Sequence, residues 1–72
     1  MVLLKQQALT KVRAERLRRG WRLIDLAYHS NVPPSELSRI ETGHCKPYPR
    51  YAKRLAETLG IPADELQVED EQ

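Results

Sequence analysis

Apolar residues recur at helical spacing along this 72-residue chain, and glycines and prolines separate the stretches in which they do so. Leu9, Val12 and Leu17 lie among charged residues at spacings of three and five, which predicts an amphipathic helix over residues 9–19. Gly20 follows directly, and glycine readily adopts the left-handed backbone that closes a helix. The pattern therefore predicts a first helix with one inward face and a defined end.

Two further short helices are predicted on either side of a tight turn. Leucine, isoleucine and alanine give residues 23–30 an apolar side. Asn31 tolerates a left-handed backbone, and Pro33 and Pro34 lack the amide hydrogens that a continuous helix needs. The next helix is therefore predicted to open at Pro34 and to cover residues 34–42, with apolar residues three positions apart facing inward.

The remainder of the chain predicts two more helices and a tail. Pro49 suits the first position of a helix over residues 49–59. Residues 63–66 predict a short fifth helix with acidic residues in its first turn, where the helix dipole favours negative charge. We therefore expect an all-α fold, a compact five-helix domain over residues 1–67, followed by a short and frayed acidic tail, residues 68–72.

Length and composition restrict the class of protein. A chain of 72 residues closes a single core, and 40% hydrophobic with 31% charged residues is the composition of a globular domain. Cys45 is the one cysteine, which excludes a disulfide framework and a zinc quartet. The apolar run of residues 2–4 is far shorter than a membrane span or a signal peptide needs, so we expect a cytoplasmic protein without membrane contact.

Charge is distributed unevenly, although the formal net charge is only +2. Residues 1–55 contain all 12 basic residues and four acidic ones, whereas residues 56–72 contain six acidic residues and no lysine or arginine. This asymmetry is typical of a cationic body that binds a polyanion, with an acidic tail held off it or competing with it. It is equally compatible with an ordinary solvated surface.

The chain lacks the sequence patterns of an enzyme. His29, His44 and Cys45 do not have metal-ligand spacing, and the three glycines do not form a phosphate-binding loop. No order of histidine, serine and acid indicates a catalytic triad. We therefore expect a binding protein without catalytic activity, metal or cofactor.

The second and third predicted helices have the lengths and the short connection of a helix-turn-helix unit, in which the second helix enters the major groove of DNA. By geometry alone, a helical hairpin with another use fits as well. Gly20 after the first helix, Leu26-Ala27 in the second, Asn31 in the turn and Ser-Arg-Ile-Glu-Thr-Gly over residues 38–43 are more specific. This pattern resembles the lambda-repressor, Cro and Xre family of DNA-binding domains, and the resemblance runs from about residue 12 to residue 66.

Two departures from the family pattern affect DNA reading. Leu23 stands where the family often has a glutamine, and prolines replace polar residues at the start of the third helix. The resemblance therefore implies base contacts further along this helix, from Ser35, Ser38 and Arg39. Arg39 suits the two-pronged contact of arginine with guanine O6 and N7, and a phosphate contact or a solvated position is its alternative.

Phosphate contacts are expected from basic side chains at the rims of the groove. These are Arg22 at the start of the second helix, His44 and Lys46 in the loop after the third, and Arg50 in the first turn of the fourth. The resemblance also implies a structural ion pair between Arg16 and Glu41, which would brace the recognition helix against the first helix.

These observations predict sequence-specific binding of double-stranded DNA by a repressor-like transcriptional regulator. It would act as a homodimer on a near-palindromic operator, because one recognition helix reads too few base pairs, with Leu66 and Val68 as dimer contacts. The alternative is a protein-interaction module that uses the helix-turn-helix face or the acidic tail to bind a toxin, polymerase or cytoskeletal partner. The regulator should bind DNA with steep salt dependence and a preference for one sequence. The protein-interaction module should bind DNA weakly and without sequence preference.

Overall fold

The computed structural model describes residues 9–70, which form four α-helices and one short 3₁₀ turn. The elements are α1 (Lys11–Arg18), α2 (Leu23–Ser30), α3 (Pro34–Glu41), α4 (Pro49–Leu59) and the 3₁₀ turn Ala63–Glu65. The one extended pairing among residues 9–70 is an isolated antiparallel bridge between Thr10 and Glu69. The all-α prediction is therefore confirmed for this part of the chain.

The predicted fifth helix is wrong, because the three residues after Pro62 form only a single 3₁₀ turn. Beyond this turn the backbone carbonyls serve another helix. Leu66 O accepts a hydrogen bond from Val12 N at 3.0 Å, and Val68 O accepts one from Lys11 N at 2.9 Å. These carbonyls are directed at the start of α1 rather than along a local helix, so the segment turns beside α1 instead of continuing as a fifth helix.

The start of α1 is capped from two directions. Thr10 precedes the helix, and its Oγ1 accepts a hydrogen bond from Arg13 N at 3.3 Å. The carbonyls of residues 68 and 66 accept hydrogen bonds from the backbone amides of Lys11 and Val12. Three of the four amide groups that a helix N-terminus leaves unpaired are therefore satisfied, which explains why α1 begins later than predicted.

Residues 68–70 run beside the start of α1 and do not fray as expected. Asp70 N donates to Leu9 O at 2.7 Å, and the Asp70 carboxylate accepts a hydrogen bond from Arg18 Nη2 at 2.8 Å. This hydrogen bond is the main reason that the pKa of the Arg18 guanidinium is raised. The first part of the acidic tail is thus bound to the domain.

The helix-turn-helix unit consists of α2 and α3, with bounds close to those predicted. Asn31 ends α2 with a left-handed φ of 59°, and Pro34 opens α3 at its first turn. Asn31 O also accepts a hydrogen bond from Arg54 Nη1 of α4 at 3.0 Å. The turn is therefore held by its own backbone conformation and by the fourth helix.

The core lies between all four helices and the segment that follows the 3₁₀ turn. Trp21 and Tyr51 are partly buried and pack against its edge. The buried apolar residues of the core are Val12, Leu26, Ala27, Val32, Leu37, Ile40, Leu55, Leu59 and Leu66. Because Leu37 and Ile40 of α3 belong to this core, one face of α3 is held inward and the opposite face lies in solvent.

Candidate nucleic-acid interface

One exposed face of α3 carries the side chains predicted to contact bases. Ser35, Ser38 and Arg39 are all exposed, whereas Leu37 and Ile40 of the same helix are buried. Residues three and four positions apart share a side of a helix, so these three side chains lie along a single outer stripe. The structure thus brings the predicted base readers together.

Arg39 is loosely held on this stripe. Its side chain is 60% exposed, and its Nη1 lies 3.9 Å from Glu36 Oε2, at the limit of an ion pair. An exposed pair at this distance contributes little energy, so Glu36 does not fix the guanidinium. Arg39 is free to turn toward a base or a phosphate.

The loop after α3 carries two of the predicted phosphate contacts, His44 and Lys46, and both are exposed. His44 N donates to Arg39 O at 3.0 Å, and His44 Nδ1 lies 2.8 Å from Thr42 Oγ1. Thr42 Oγ1 also donates to Ser38 O at 3.1 Å, so the hydroxyl joins the His44 ring to the last turn of α3. Thr42 thus orients the histidine.

Arg22 stands at the start of α2 with an 80% exposed side chain. Its Nε lies 3.3 Å from Asp25 Oδ2, and its backbone N–H donates to the same oxygen at 2.7 Å. The backbone hydrogen bond, followed by the guanidinium contact, holds the pKa of Asp25 below its usual value. Arg22 keeps unused donors for a phosphate, although Asp25 offsets part of its charge.

Arg50 lies in the first turn of α4, and its guanidinium stacks on two aromatic rings. Its Cζ is 5.2 Å from the ring centroid of Tyr48 and 4.6 Å from that of Tyr51. Such stacking restricts the side chain while leaving the edge of the guanidinium available for hydrogen bonds. Arg50 is therefore the most pre-oriented of the predicted phosphate contacts.

The predicted ion pair lies beneath the interface. Arg16 Nε donates to Glu41 Oε2 at 2.7 Å and Arg16 Nη2 donates to Oε1 at 2.9 Å. Arg16 Nη1 also donates to Trp21 O at 2.9 Å. Both charged residues are buried, and the pair fastens the end of α3 to α1.

The two expected dimer residues occupy different environments. Leu66 is 1% exposed and belongs to the core of one copy, so its side chain is not available to a second copy. Val68 is 47% exposed. Of the two, Val68 alone presents an apolar side chain to solvent.

Three polar residues near the interface were missed by reasoning from the sequence. Thr42 contacts His44, Arg54 closes the turn at Asn31, and Gln67 donates to carbonyls at the end of α3 and in the following loop. Thr42 continues the stripe of Ser35 and Ser38 at helical spacing, which could have identified it. The contacts of Arg54 and Gln67 span more than twenty residues and have no local signal.

Within residues 9–70, no three histidine, cysteine or acidic side chains are grouped so as to hold a metal ion. None of the helices in this range is long and apolar enough to cross a membrane.

A helix-turn-helix unit whose second helix exposes polar and basic side chains, with further basic residues around it, defines a DNA-binding domain of the regulatory type. The comparison with protein families agrees. The family described as helix-turn-helix domain matches residues 9–68, which is most of the chain, and the protein belongs to this family. The match is consistent with the resemblance to lambda-repressor, Cro and Xre domains. No curated protein and no solved structure gives a significant match.

Proposed function

We propose that this protein is a sequence-specific regulator of transcription that binds double-stranded DNA as a homodimer, with α3 of each copy in a major groove. The observation that carries the proposal is the stripe of Ser35, Ser38 and Arg39 on the exposed face of α3. Serine hydroxyls and an arginine fork are groups that read base edges. The protein would act by binding alone, without catalysis or a cofactor.

The start of α3 determines which part of the helix reads bases. Pro33 and Pro34 are exposed there and have no amide hydrogen to offer a phosphate or a base. Base contacts are therefore assigned to the second half of the helix, where Ser38 and Arg39 lie. Only Ser35 would act near the first turn.

The basic rim supplies the part of the affinity that does not depend on sequence. Arg22, Lys46 and Arg50 are exposed on three different segments around α3, and the exposed His44 can add a further contact. If each of these three residues neutralises one phosphate in both copies, the slope of log affinity against log salt is about −5. One copy alone would give a slope of about −3.

Dimerisation is proposed because a single recognition helix does not give a useful preference for one site over many competing sites. A two-fold dimer would read a near-palindromic operator. Val68 is the apolar residue of the C-terminal segment available for such a contact. A repressor role is proposed because occupying an operator is enough to block a promoter.

A second candidate function is protein interaction, and a specific surface favours it. Ile24 is 54% exposed and Tyr28 is 79% exposed, and they border a shallow, mostly apolar groove of about 400 Å³ with Pro33 and Pro34. Exposed apolar surface of this kind is common where proteins bind one another. In this alternative, the groove would bind a protein partner and DNA binding would be weak.

Selection of bound sites from random duplex DNA tests the proposed function most directly. We expect enrichment of one near-palindromic sequence, and a titration of that site against salt should give the slope of about −5. The matched variant Arg22→Ala should lower the magnitude of the slope by about 2, one contact from each copy, without changing the selected sequence. Weak binding that is equal for all sequences would contradict the proposal and favour protein interaction.

A further inference from the structure

Gln67 connects the C-terminal segment to the loop that follows α3. Its side-chain Nε2 donates two hydrogen bonds, one to Cys45 O at 2.6 Å and one to Ile40 O at 3.1 Å. The first acceptor lies between His44 and Lys46 in the loop, and the second lies in the last turn of α3. One amide group therefore spans the recognition helix and the loop that carries two predicted phosphate contacts.

The loop has few other attachments to the body of the domain. His44 N bonds to Arg39 O, and Thr42 Oγ1 contacts His44 Nδ1, so both of these contacts stay within a few residues of α3. Among residues 9–70, the hydrogen bond from Gln67 is the one that ties loop residues 44–46 to a distant part of the chain. This amide therefore holds Cys45, which lies between His44 and Lys46, against the C-terminal part of the domain.

Gln67 is itself held on both sides. Leu66 is 1% exposed in the core and its carbonyl accepts a hydrogen bond from Val12 N, while Val68 O accepts one from Lys11 N. The backbone of Gln67 is thus fixed between two residues bonded to the start of α1. A donor mounted on such a fixed backbone can orient the groups that it contacts.

We infer that Gln67 is a positioning residue for DNA binding, which holds His44 and Lys46 where they can contact phosphates. This inference rests on the proposed DNA-binding function and extends it to a residue of the acidic C-terminal segment. The segment would then support DNA binding through a neutral amide, although its charges oppose the approach of a phosphate.

Gln67→Met removes both donors while keeping the charge and nearly the length of the side chain. We expect DNA affinity to fall about tenfold, the effect of one hydrogen-bonded contact, by a similar factor on the preferred site and on other sequences. The reason is that phosphate contacts are not sequence-specific. Ala63→Ser, a neutral change at an exposed position of the same segment, is the matched control and should bind as the wild type does.

A second measurement reports on the loop without DNA. Cys45 is the only cysteine of the chain, so its rate of reaction with a thiol-specific reagent reports on this loop alone. Gln67→Met should raise that rate several-fold under native conditions, because Cys45 loses the hydrogen bond to its carbonyl. The unfolding midpoint, measured in parallel, verifies that the variant is folded. Gln67→Asn keeps the amide but shortens the side chain by one carbon. If Gln67→Met does not fold, the DNA affinity and the Cys45 reaction rate of Gln67→Asn are compared with those of the wild type instead.

A double-mutant cycle separates positioning from general stability. In a protein that already carries His44→Ala and Lys46→Ala, Gln67→Met should cause little further loss of DNA affinity, because the groups that it positions are gone. Full additivity in folded variants would overturn the inference, and so would an unchanged DNA affinity in Gln67→Met. If the wild type itself binds no DNA, the proposed function fails and the role of Gln67 in DNA binding fails with it. The Cys45 rate would still show whether Gln67 holds the loop, so the two failures are distinguishable.

Discussion

Arg16 of α1 and Glu41 of α3 form a two-pronged ion pair, with N···O distances of 2.7 and 2.9 Å, inside the domain. The exposed fraction is 9% for Arg16 and 5% for Glu41. Thr10 Oγ1 adds a hydrogen bond from the same side to Glu41 O at 2.9 Å. The last residue of α3 is therefore bound to the first helix at both ends, through its backbone to the N-cap Thr10 and through its side chain to Arg16 in the last turn.

Removing one partner of this pair should be costly. Arg16→Ala leaves the Glu41 carboxylate buried without its counter-charge, and we expect the free energy of unfolding to fall by about 3 to 5 kcal/mol. Arg18→Ala on the same helix is the control, since its partners Glu15 and Asp70 are reached through an exposed side chain. Urea denaturation of both variants measures the difference, and equal midpoints would contradict a stabilising role for the buried pair.

Arg39 should determine sequence preference. Arg39→Ala is expected to cost about 1 to 3 kcal/mol of discrimination at one base pair of the half-site, because a two-pronged arginine contact distinguishes guanine from other bases. Arg39→Lys tests the geometry, since lysine keeps the charge but loses the planar fork. Binding titrations on the selected site and on its single-base variants measure the effect. A loss that is equal on every sequence would identify Arg39 as a phosphate contact.

The start of α2 should respond to acid. The contacts with Arg22 lower the pKa of Asp25 in the folded protein, so the carboxylate stabilises the fold above the unfolded pKa of about 3.9. That contribution is lost as the pH falls through the lowered pKa. We therefore expect the melting temperature of Asp25→Asn to be lower than that of the wild type at neutral pH. The difference between the two melting temperatures should disappear toward a pH of about 2.

Glu57→Gln is the control for the acid experiment, since Glu57 is exposed on α4 and has no ion pair among the described residues. Thermal melts of both variants at the two pH values measure the difference from the wild type. A gap for Asp25→Asn that stays constant with pH would show that the carboxylate charge does not stabilise the start of α2.

The proposed dimer makes a prediction about the operator. Two copies related by a two-fold axis should select half-sites whose centres are about 10 base pairs apart, one turn of DNA. Val68→Asp, which puts a charge on the exposed apolar side chain, should weaken self-association and leave the half-site sequence unchanged. Light scattering of the protein, alone and with the selected site, measures both. A single copy on a non-repeated site would contradict the dimer.

Much of the fold could be predicted because its signals are local. α2 has the predicted bounds, since Asn31 and the proline pair mark its end within three residues. The exposed stripe on α3 also followed from the sequence, because helical spacing alone separates Ser38 and Arg39 from the buried Ile40.

The C-terminal segment could not be predicted in the same way. Its acidic composition is that of a solvated tail, yet its backbone carbonyls bond to the amides of Lys11 and Val12. Hydrogen bonds between backbone groups more than fifty positions apart produce no periodic pattern in the sequence, so the sequence indicated neither this pairing nor the path of the segment beside α1. Gln67 was missed for this reason, since its role follows only from where the segment lies.

The bridge between Thr10 and Glu69 brings the two ends of the described domain to one place. A short peptide could therefore join residue 70 back to residue 9, and the chain could be reopened at an exposed turn such as Gly60. Such a circular permutant should keep the same helices in a different order. For the same reason, reporters attached directly at residue 9 and at residue 70 would leave the surface from the same point.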